Sequence, residues 1–514
     1  MTSSAGADGR RTAVIDLGSN SFRLVVFTAV PGSWWKRTDE IHEAVRIGAG
    51  LDKAGALGEK PMARALGTVE LYAHFLRAVA IGPEDTLAVA TSAIRDATNG
   101  PEFVARAESA TGLTINVLSP EEEAHFGYVA AVNSTTLDKG VVLDIGGGSV
   151  QLVDVRKRRA RNAGSWPLGA VRMTEHFLPG ETASKKQLKA LRDHVRSTLA
   201  GVDWLPDSGR RFVGLGGTAR NLAAAAKRAA ELPSFGVQGF ILTADALDDL
   251  IATLAALPAA ERGSVPGIKP QRSDLILAGA VVVRSIMDVG GFEALEVTEA
   301  GLREGIFLDR HFRREDGEPP LVDDVREASV RNLAAQYGHD GPHDHHVAQL
   351  ALGLFDDLAA AGLHDGDPDE RELLWAAAML HDIGVTVDYD DHHKHSRYLI
   401  LSAGLPGFSP REVAIVVQMA RYHRKGTPSF DDLESLVRDE DEAMLERGAA
   451  ILRIAESLER ARDQVVLGTS VRLDSDLVEL RLEAREDASV ARWVAGRHGD
   501  QFERAFGRPL RFVE

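Results

Sequence analysis

The chain has 514 residues, no cysteine and a formal net charge of −17. That length calls for two to four domains, the missing cysteines exclude disulfides, thiolate metal sites and cysteine nucleophiles, and the acidic balance opposes non-specific binding to nucleic acid. The longest apolar run, "LILAGAVVV", stops at Arg284, too short to span a bilayer. The polar start, "MTSSAGADGRR", lacks a signal-peptide core, so a reducing cytoplasm and no membrane partner are expected.

Residues 11 to about 130 alternate strand-like and helix-like segments. "TAVIDLG" and "FRLVVFTAV" are β-rich runs joined by a Gly-Ser turn. "TLAVATSAIRDA" reads as a strand leading into a loop and helix. "INVLSPEEEAHFGYVAAV" reads as a strand, a Ser-Pro turn and a helix with acids in its first turn. From about 138 the pattern restarts. "VVLDIGGGSVQLVDV" repeats the layout of "AVIDLGSNSFRLVVF": Asp144 matches Asp16, Gly146 matches Gly18 and Ser149 matches Ser21. "RRFVGLGGTARNLAAAA", Arg211 to Ala226, adds a third strand, glycine turn and helix. The basic run Arg156 to Arg161 is either a patch for a polyanion or a solvated hairpin tip. "RREDGEPP" reads as a linker. Residues 322 to about 465 carry helical periodicity, and "SVRLDSDLVELRLEA" alternates as strands do.

A glycine turn after a strand lets a phosphate approach several backbone N–H groups, and serine adds a hydroxyl donor. An aspartate there does not favour phosphate directly. It makes sense with a divalent cation between them, because magnesium is commonly held by one or two carboxylates plus phosphate oxygens. Two such loops 128 positions apart point to two similar lobes that share a cleft. The third turn, Gly216-Gly217-Thr218, opens a helix, whose N-terminus favours anions.

This constellation resembles the phosphate motifs of the actin, heat-shock-70 and sugar-kinase superfamily. Within it, "AVIDLGSNSFRLVV", "LSPEEEAHFGY", "VVLDIGGGSVQLV", "GLREGIF", "WAAAMLHDIG", "LPGFS" and "RYHRK" are similar to the exopolyphosphatase / guanosine pentaphosphate phosphatase family, in particular its long bacterial exopolyphosphatases. The resemblance runs from about residue 11 to about 465. It implies an α/β fold: two actin-like, ribonuclease-H-like lobes at 11–130 and 131–312. An all-helical HD-like domain would follow at 322–468, and a small α+β C-terminal domain at 469–514.

The implied activity is processive, metal-dependent hydrolysis of terminal phosphate from inorganic polyphosphate. By the same resemblance Glu123 is the base that activates water and Arg95 faces the phosphate chain. Asp144, with Asp16 and Glu123, would hold Mg2+ or Mn2+, with room for K+ as a further ion. Ser19, Asn20, Ser21, Gly146, Gly147, Gly148, Ser149, Gly216, Gly217 and Thr218 would cradle phosphates. Glu121 and Glu122 are left to cap the helix, and Arg95 has a plainer reading as a salt bridge to Asp96 or Glu102. The family usually has glutamate where this chain has Gln151, which predicts lower metal affinity or a shifted metal preference.

His343, His381 and Asp382, followed by His423, match the metal-ligand pattern of HD-type phosphohydrolases. The final aspartate of that pattern is absent, with Glu459 in its place and Asp463 a turn later. A structural role that lengthens a polyphosphate channel, with "RYHRK" lining it, is the plainer reading. The expected partners are inorganic polyphosphate, guanosine pentaphosphate and a second copy in a homodimer. Alternatives are a guanosine pentaphosphate 5′-phosphohydrolase, an ATP-dependent sugar or acid kinase, and a non-catalytic polyphosphate or nucleotide sensor, towards which Gln151 leans.

Overall fold

The computed structural model describes residues 9–313, 318–474 and 476–513. The polar start and most of the acidic linker, residues 314–317, lie outside the described residues. The chain divides into two compact units, residues 1–325 and 326–514.

The first unit contains two sheets. β1 (Arg10–Leu17), β2 (Phe22–Val30), β3 (Trp34–Glu43), β4 (Thr86–Ala90) and β5 (Ile115–Val117) form a five-stranded sheet in the order β3-β2-β1-β4-β5. β6 (Lys139–Ile145), β7 (Val150–Arg156), β8 (Arg159–Trp166), β9 (Arg211–Leu215), β10 (Phe240–Thr243) and β11 (Ala294–Val297) form the other, in the order β10-β11-β9-β6-β7-β8. The repeat in the sequence is a repeat in space. β1 pairs antiparallel with β2 and parallel with β4, and β6 pairs antiparallel with β7 and parallel with β9. Strands β1, β2, β6 and β7 are near-continuous apolar runs because helices cover both their faces.

Two helices lie between the sheets, and the chain exchanges them. The helix Pro120–Val132 follows β5 of the first sheet yet packs on β6, β7 and β8 of the second. The helix Leu302–His311 follows β11 of the second sheet yet packs on β1 of the first and along its partner helix. Val25, Phe27, Tyr128, Val153, Val213 and Phe307 share one buried cluster in this layer. The two helices meet backbone to backbone, since a Cβ at Gly305 would stand 1.9 Å from the Phe126 carbonyl oxygen. The lobe boundary expected at residue 130 therefore runs through a helix that belongs, by packing, to the second sheet.

The basic run at 156–161 is the tip of the β7–β8 hairpin. Lys157 and Arg158, at φ 51° and 60°, make its two-residue turn. Three of its four arginines are engaged: Arg156 with Asp154 at 3.1 Å, Arg158 with the Val322 carbonyl at 2.8 Å, and Arg159 with Glu318.

In the second unit, helices Pro342–Ala360, Pro368–Leu380, His392–Ala403, Pro410–Tyr422 and Glu440–Leu458 form the body. Proline at the first position and a side-chain cap start several of them. Ser409 accepts from the Glu412 amide while Glu412 accepts from the Ser409 amide at 2.7 Å. The alternating C-terminal segment forms β12 (Val466–Asp474) and β13 (Leu477–Ala484), joined in parallel by β14 (Leu510–Val513). This sheet is packed onto the helices within the same compact unit: His346 bonds to the Val466 carbonyl at 2.8 Å, and two short helices after β13 lie on Glu440–Leu458.

Candidate active site

The β1–β2 and β6–β7 turns open into one cleft of the first unit. Asp16, Ser19, Asn20, Ser21, Asp144, Gly146, Gly147, Ser149, Gly216 and Gly217 line it, together with Glu123. Ser19 faces Gly147 and Gly148, and its hydroxyl lies 3.1 Å from that of Ser92, at the start of the Ser92–Asp96 helix. Gly148 lines an adjoining hollow instead of the cleft. Thr218 is fully buried with its methyl against Gly279, so it packs the helix Gly216–Ala229. Gly216 needs to be glycine: φ is +93°, and a Cβ would stand 2.9 Å from Asp144 Oδ1.

Glu123 projects from the first turn of Pro120–Val132. Ser119 caps that helix, and Glu122 alone completes the reciprocal cap, 2.8 Å from the Ser119 amide. Glu121 stays exposed. Glu123 turns inward and is only 5% exposed. Arg95 Nη1 donates to its Oε1 at 2.8 Å, and Gln151 Nε2 donates to its Oε2 at 2.7 Å. Arg95 also reaches Asp96 at 3.4 Å, so the salt bridge expected as its plainer reading is present alongside the contact with Glu123. Burial pushes the Glu123 carboxyl up to about 7 despite the opposing Arg95 charge.

Gln151 thus acts on Glu123. Its amide also donates to Ser149 Oγ at 2.9 Å and Ser165 Oγ at 3.1 Å. A glutamate in this place would set a second carboxylate against Glu123, where the amide supplies a donor.

Asp144 ends β6 with no donor within hydrogen-bond distance among the described residues, and burial pushes its carboxyl up to about 6. Asp16 is held by Arg303 Nη1 at 2.9 Å, and burial still leaves its pKa raised. Sequence reasoning missed the cations here. Arg23, Arg220, Arg272 and Arg303 all line the cleft, and with Lys269 they continue into a neighbouring basic hollow. Arg272 has no carboxylate at ion-pair distance among the described residues. Burial and the charges of Arg220 and Arg23 lower its pKa to about 10. Arg23, Arg220 and Arg303 lie inside segments quoted above and Arg272 outside them, but the segments are far apart in the chain and nothing in their local pattern signals that the four converge.

Two family models match the chain. One, described as the Ppx/GppA phosphatase family, covers residues 25–313, more than half of it. The other, described as Ppx/GppA phosphatase, domain III, covers residues 325–492. The chain belongs to the Ppx/GppA phosphatase family. A solved Ppx/GppA family member from Aquifex aeolicus is 26% identical over 58% of this chain and 97% of its own, with a TM-score of 0.50. An exopolyphosphatase-like protein is 27% identical over 59% and 98%, with a TM-score of 0.53. An exopolyphosphatase from Cytophaga hutchinsonii, 20% identical over 61% and 100%, has a TM-score of 0.55 and speaks for the fold alone. The family and these neighbours make the chain an actin-like Ppx/GppA phosphatase with a domain III. Among the described residues, no helix is long and apolar enough to cross a membrane.

Proposed function

We propose that this phosphatase is an exopolyphosphatase that removes the terminal phosphate of inorganic polyphosphate. The observation that carries the reading is Glu123, a buried carboxylate oriented by Arg95 and Gln151 at a cleft lined by two glycine-serine loops and four arginines. Water attacks the terminal phosphorus, Glu123 takes its proton, and the P–O bond to the penultimate phosphate breaks. Orthophosphate and a chain shorter by one unit leave. A base with a pKa near 7 is matched to work at neutral pH. The loops and arginines position the chain end and oppose its charge, as phosphoryl transfer requires.

The donor set fits a hard divalent cation. Asp144 is a half-buried carboxylate with no hydrogen-bond donor among the described residues, and Asp16 keeps one oxygen clear of Arg303. Arg95 and Gln151 each occupy one lone pair of a Glu123 oxygen and leave another free to take a proton, so we give Glu123 the base role and leave the ion to Asp144 and Asp16. Mg2+ held by Asp144, with Asp16 through water, would supply positive charge to the phosphoryl oxygens. The basic hollow beside the cleft suits further phosphates of a chain. It also leaves room for the nucleoside of guanosine pentaphosphate, which is the second reading: Phe235 and Pro233 stand among its arginines. The contact between Gln151 and Glu123 speaks against a sensor, since it keeps the base in place. The helical part of the second unit is read as HD-like on the arrangement around His381 and Asp382.

The test is orthophosphate release from long-chain polyphosphate with Mg2+. Glu123→Gln should lower kcat by about 10²–10⁴-fold, the usual worth of a general base. Equal turnover by both proteins would remove Glu123 from the mechanism. No release by wild type, with guanosine pentaphosphate cleaved, would establish the second reading.

A further inference from the structure

Five helix ends in the second unit converge on one buried point. His343 starts Pro342–Ala360, and His381 and Asp382 follow Pro368–Leu380. His392 starts His392–Ala403, His423 follows Pro410–Tyr422, and Glu456 sits in the last turn of Glu440–Leu458. His381, Asp382, His392 and His423 are at most 3% exposed.

Backbone carbonyls set the tautomers of three of the four rings, His343 Nδ1 having no hydrogen-bond partner among the described residues. His381 Nδ1 lies 2.6 Å from the Ala378 carbonyl, His423 Nδ1 2.7 Å from the Ala420 carbonyl, and His392 Nδ1 2.9 Å from the Tyr389 carbonyl. A carbonyl only accepts, so each Nδ1 carries the proton, although Arg424 also approaches His392 Nδ1 at 3.3 Å. In the neutral rings each Nε2 is then a bare lone pair, and these lone pairs face other acceptors. His392 Nε2 is 3.1 Å from His423 Nε2 and 3.1 Å from Asp382 Oδ1, which is 3.7 Å from His423 Nε2. On the other side, Glu456 Oε2 is 3.4 Å from both His343 Nε2 and His381 Nε2. The buried His343 Nε2, His381 Nε2, Asp382 Oδ1 and Glu456 Oε2 have no hydrogen-bond partner among the described residues.

Acceptors turned on one another need a positive centre between them. Bonds of 2.0–2.1 Å to a tetrahedral ion place ligand atoms about 3.3 Å apart, within the range of 3.1 to 3.8 Å that separates these atoms. An Nδ1–H bonded to a carbonyl is the usual support of a metal-ligating imidazole. Two ligand groups emerge, His343–His381–Asp382 and Asp382–His392–His423, and Asp382 belongs to both. Glu456, and not Glu459 or Asp463, stands where the sequence pattern wanted its last acid. Glu459 turns instead to His346 at 3.6 Å, and Asp463 is exposed. Arg462, largely exposed, donates to Asp382 Oδ2 at 2.8 Å and would give way to an ion on that side.

We propose that the second unit binds two divalent first-row transition-metal ions bridged by Asp382. His392 and His423 hold one, and His343, His381 and Glu456 hold the other. Imidazole-rich ligands select this class over magnesium, so the centre is chemically distinct from the cleft.

The test is Co2+ titration of the metal-stripped full chain, read by visible absorption and by metal content after dialysis. With excess Mg2+ present to fill the cleft, two equivalents of Co2+ per chain should bind, with d–d bands. Asp382→Ala should lose both, the pair His392→Ala/His423→Ala should lose one, and Asp144→Asn in the cleft should keep both. One equivalent in wild type would overturn the bridged pair. No Co2+ bound would overturn the site and leave the rings paired with their carboxylates through protons. Retention of both ions by Asp382→Ala, or their loss in Asp144→Asn, would overturn the assignment. Should Asp382→Ala fail to fold, Asp382→Asn and the wild-type stoichiometry still decide.

Discussion

The cleft of the first unit and the histidine cluster of the second are both built from carboxylates at the ends of regular elements, yet their surroundings differ in kind. Around Asp16, Glu123 and Asp144 stand backbone amides, serine hydroxyls and arginines. These are donors for an oxygen-rich anion that arrives and leaves. Around Asp382 stand imidazoles locked by helix-end carbonyls, which are acceptors for something that stays. A carboxylate alone says little about its ligand; the neighbouring donors or acceptors decide it.

The contrast can be broken first at Gly216. Gly216→Val puts a β-branched side chain at φ +93° and against Asp144. It should cost about 1–3 kcal/mol of stability and lower phosphate release more than tenfold, while Co2+ stoichiometry in the second unit is unchanged. Calorimetry, turnover and metal content check this together, and a fall in Co2+ stoichiometry would show the two sites to be coupled.

A second change sharpens the electrostatics of the cleft. Arg95 lowers the Glu123 pKa against the larger effect of burial. The base works deprotonated, so kcat/KM should fall as pH drops through about 7. In Arg95→Gln the carboxyl loses its cation, its pKa rises, and the acid limb should move up by about one unit. An unmoved limb would mean that Glu123 does not set it.

The smallest expected effect is on stability. Asp144 and Glu123 have folded-state pKa values raised to about 6 and 7. The native state therefore binds more protons than the unfolded chain in the window from about pH 4 to 7, and the stability this contributes is lost as pH rises through it. Mg2+ binds the charged form. Its stabilisation should thus be larger at pH 8 than at pH 5, a difference of a few degrees in Tm by differential scanning fluorimetry. Equal shifts at both pH values would argue that Mg2+ does not bind Asp144.

The duplicated loops were legible because Asp16 and Asp144 each close an apolar strand and precede glycine and serine at matching offsets. Glu123 was legible only through the resemblance. Its neighbours Glu121 and Glu122 are the same residue type, and one helical turn decides which of the three faces inward. Gln151 was seen as a missing charge, but its role depends on the strand pairing that sets it beside Glu123. Arg220 and Arg303 stood in quoted segments and Arg272 in none, but their convergence was invisible because helix packing, not local pattern, brings them together. The choice between Glu456 and Glu459 is of the same kind. They are three positions apart, but Leu458 ends the helix, so Glu456 keeps the inward face while Glu459 turns away to His346.

The contact between Gly305 and Phe126 has a mechanical consequence. Where two helices touch through bare backbone, neither can slide without a clash, so the contact is a fulcrum for any rocking of one sheet against the other. Glu123 lies three residues from Phe126, about 4.5 Å along the helix axis, close to the pivot. The serine loops at the strand ends are the far tips of the levers. Under the proposed function, any such rocking would move those tips over a bound phosphate chain while leaving Glu123 almost still, so gripping and chemistry would run at different amplitudes.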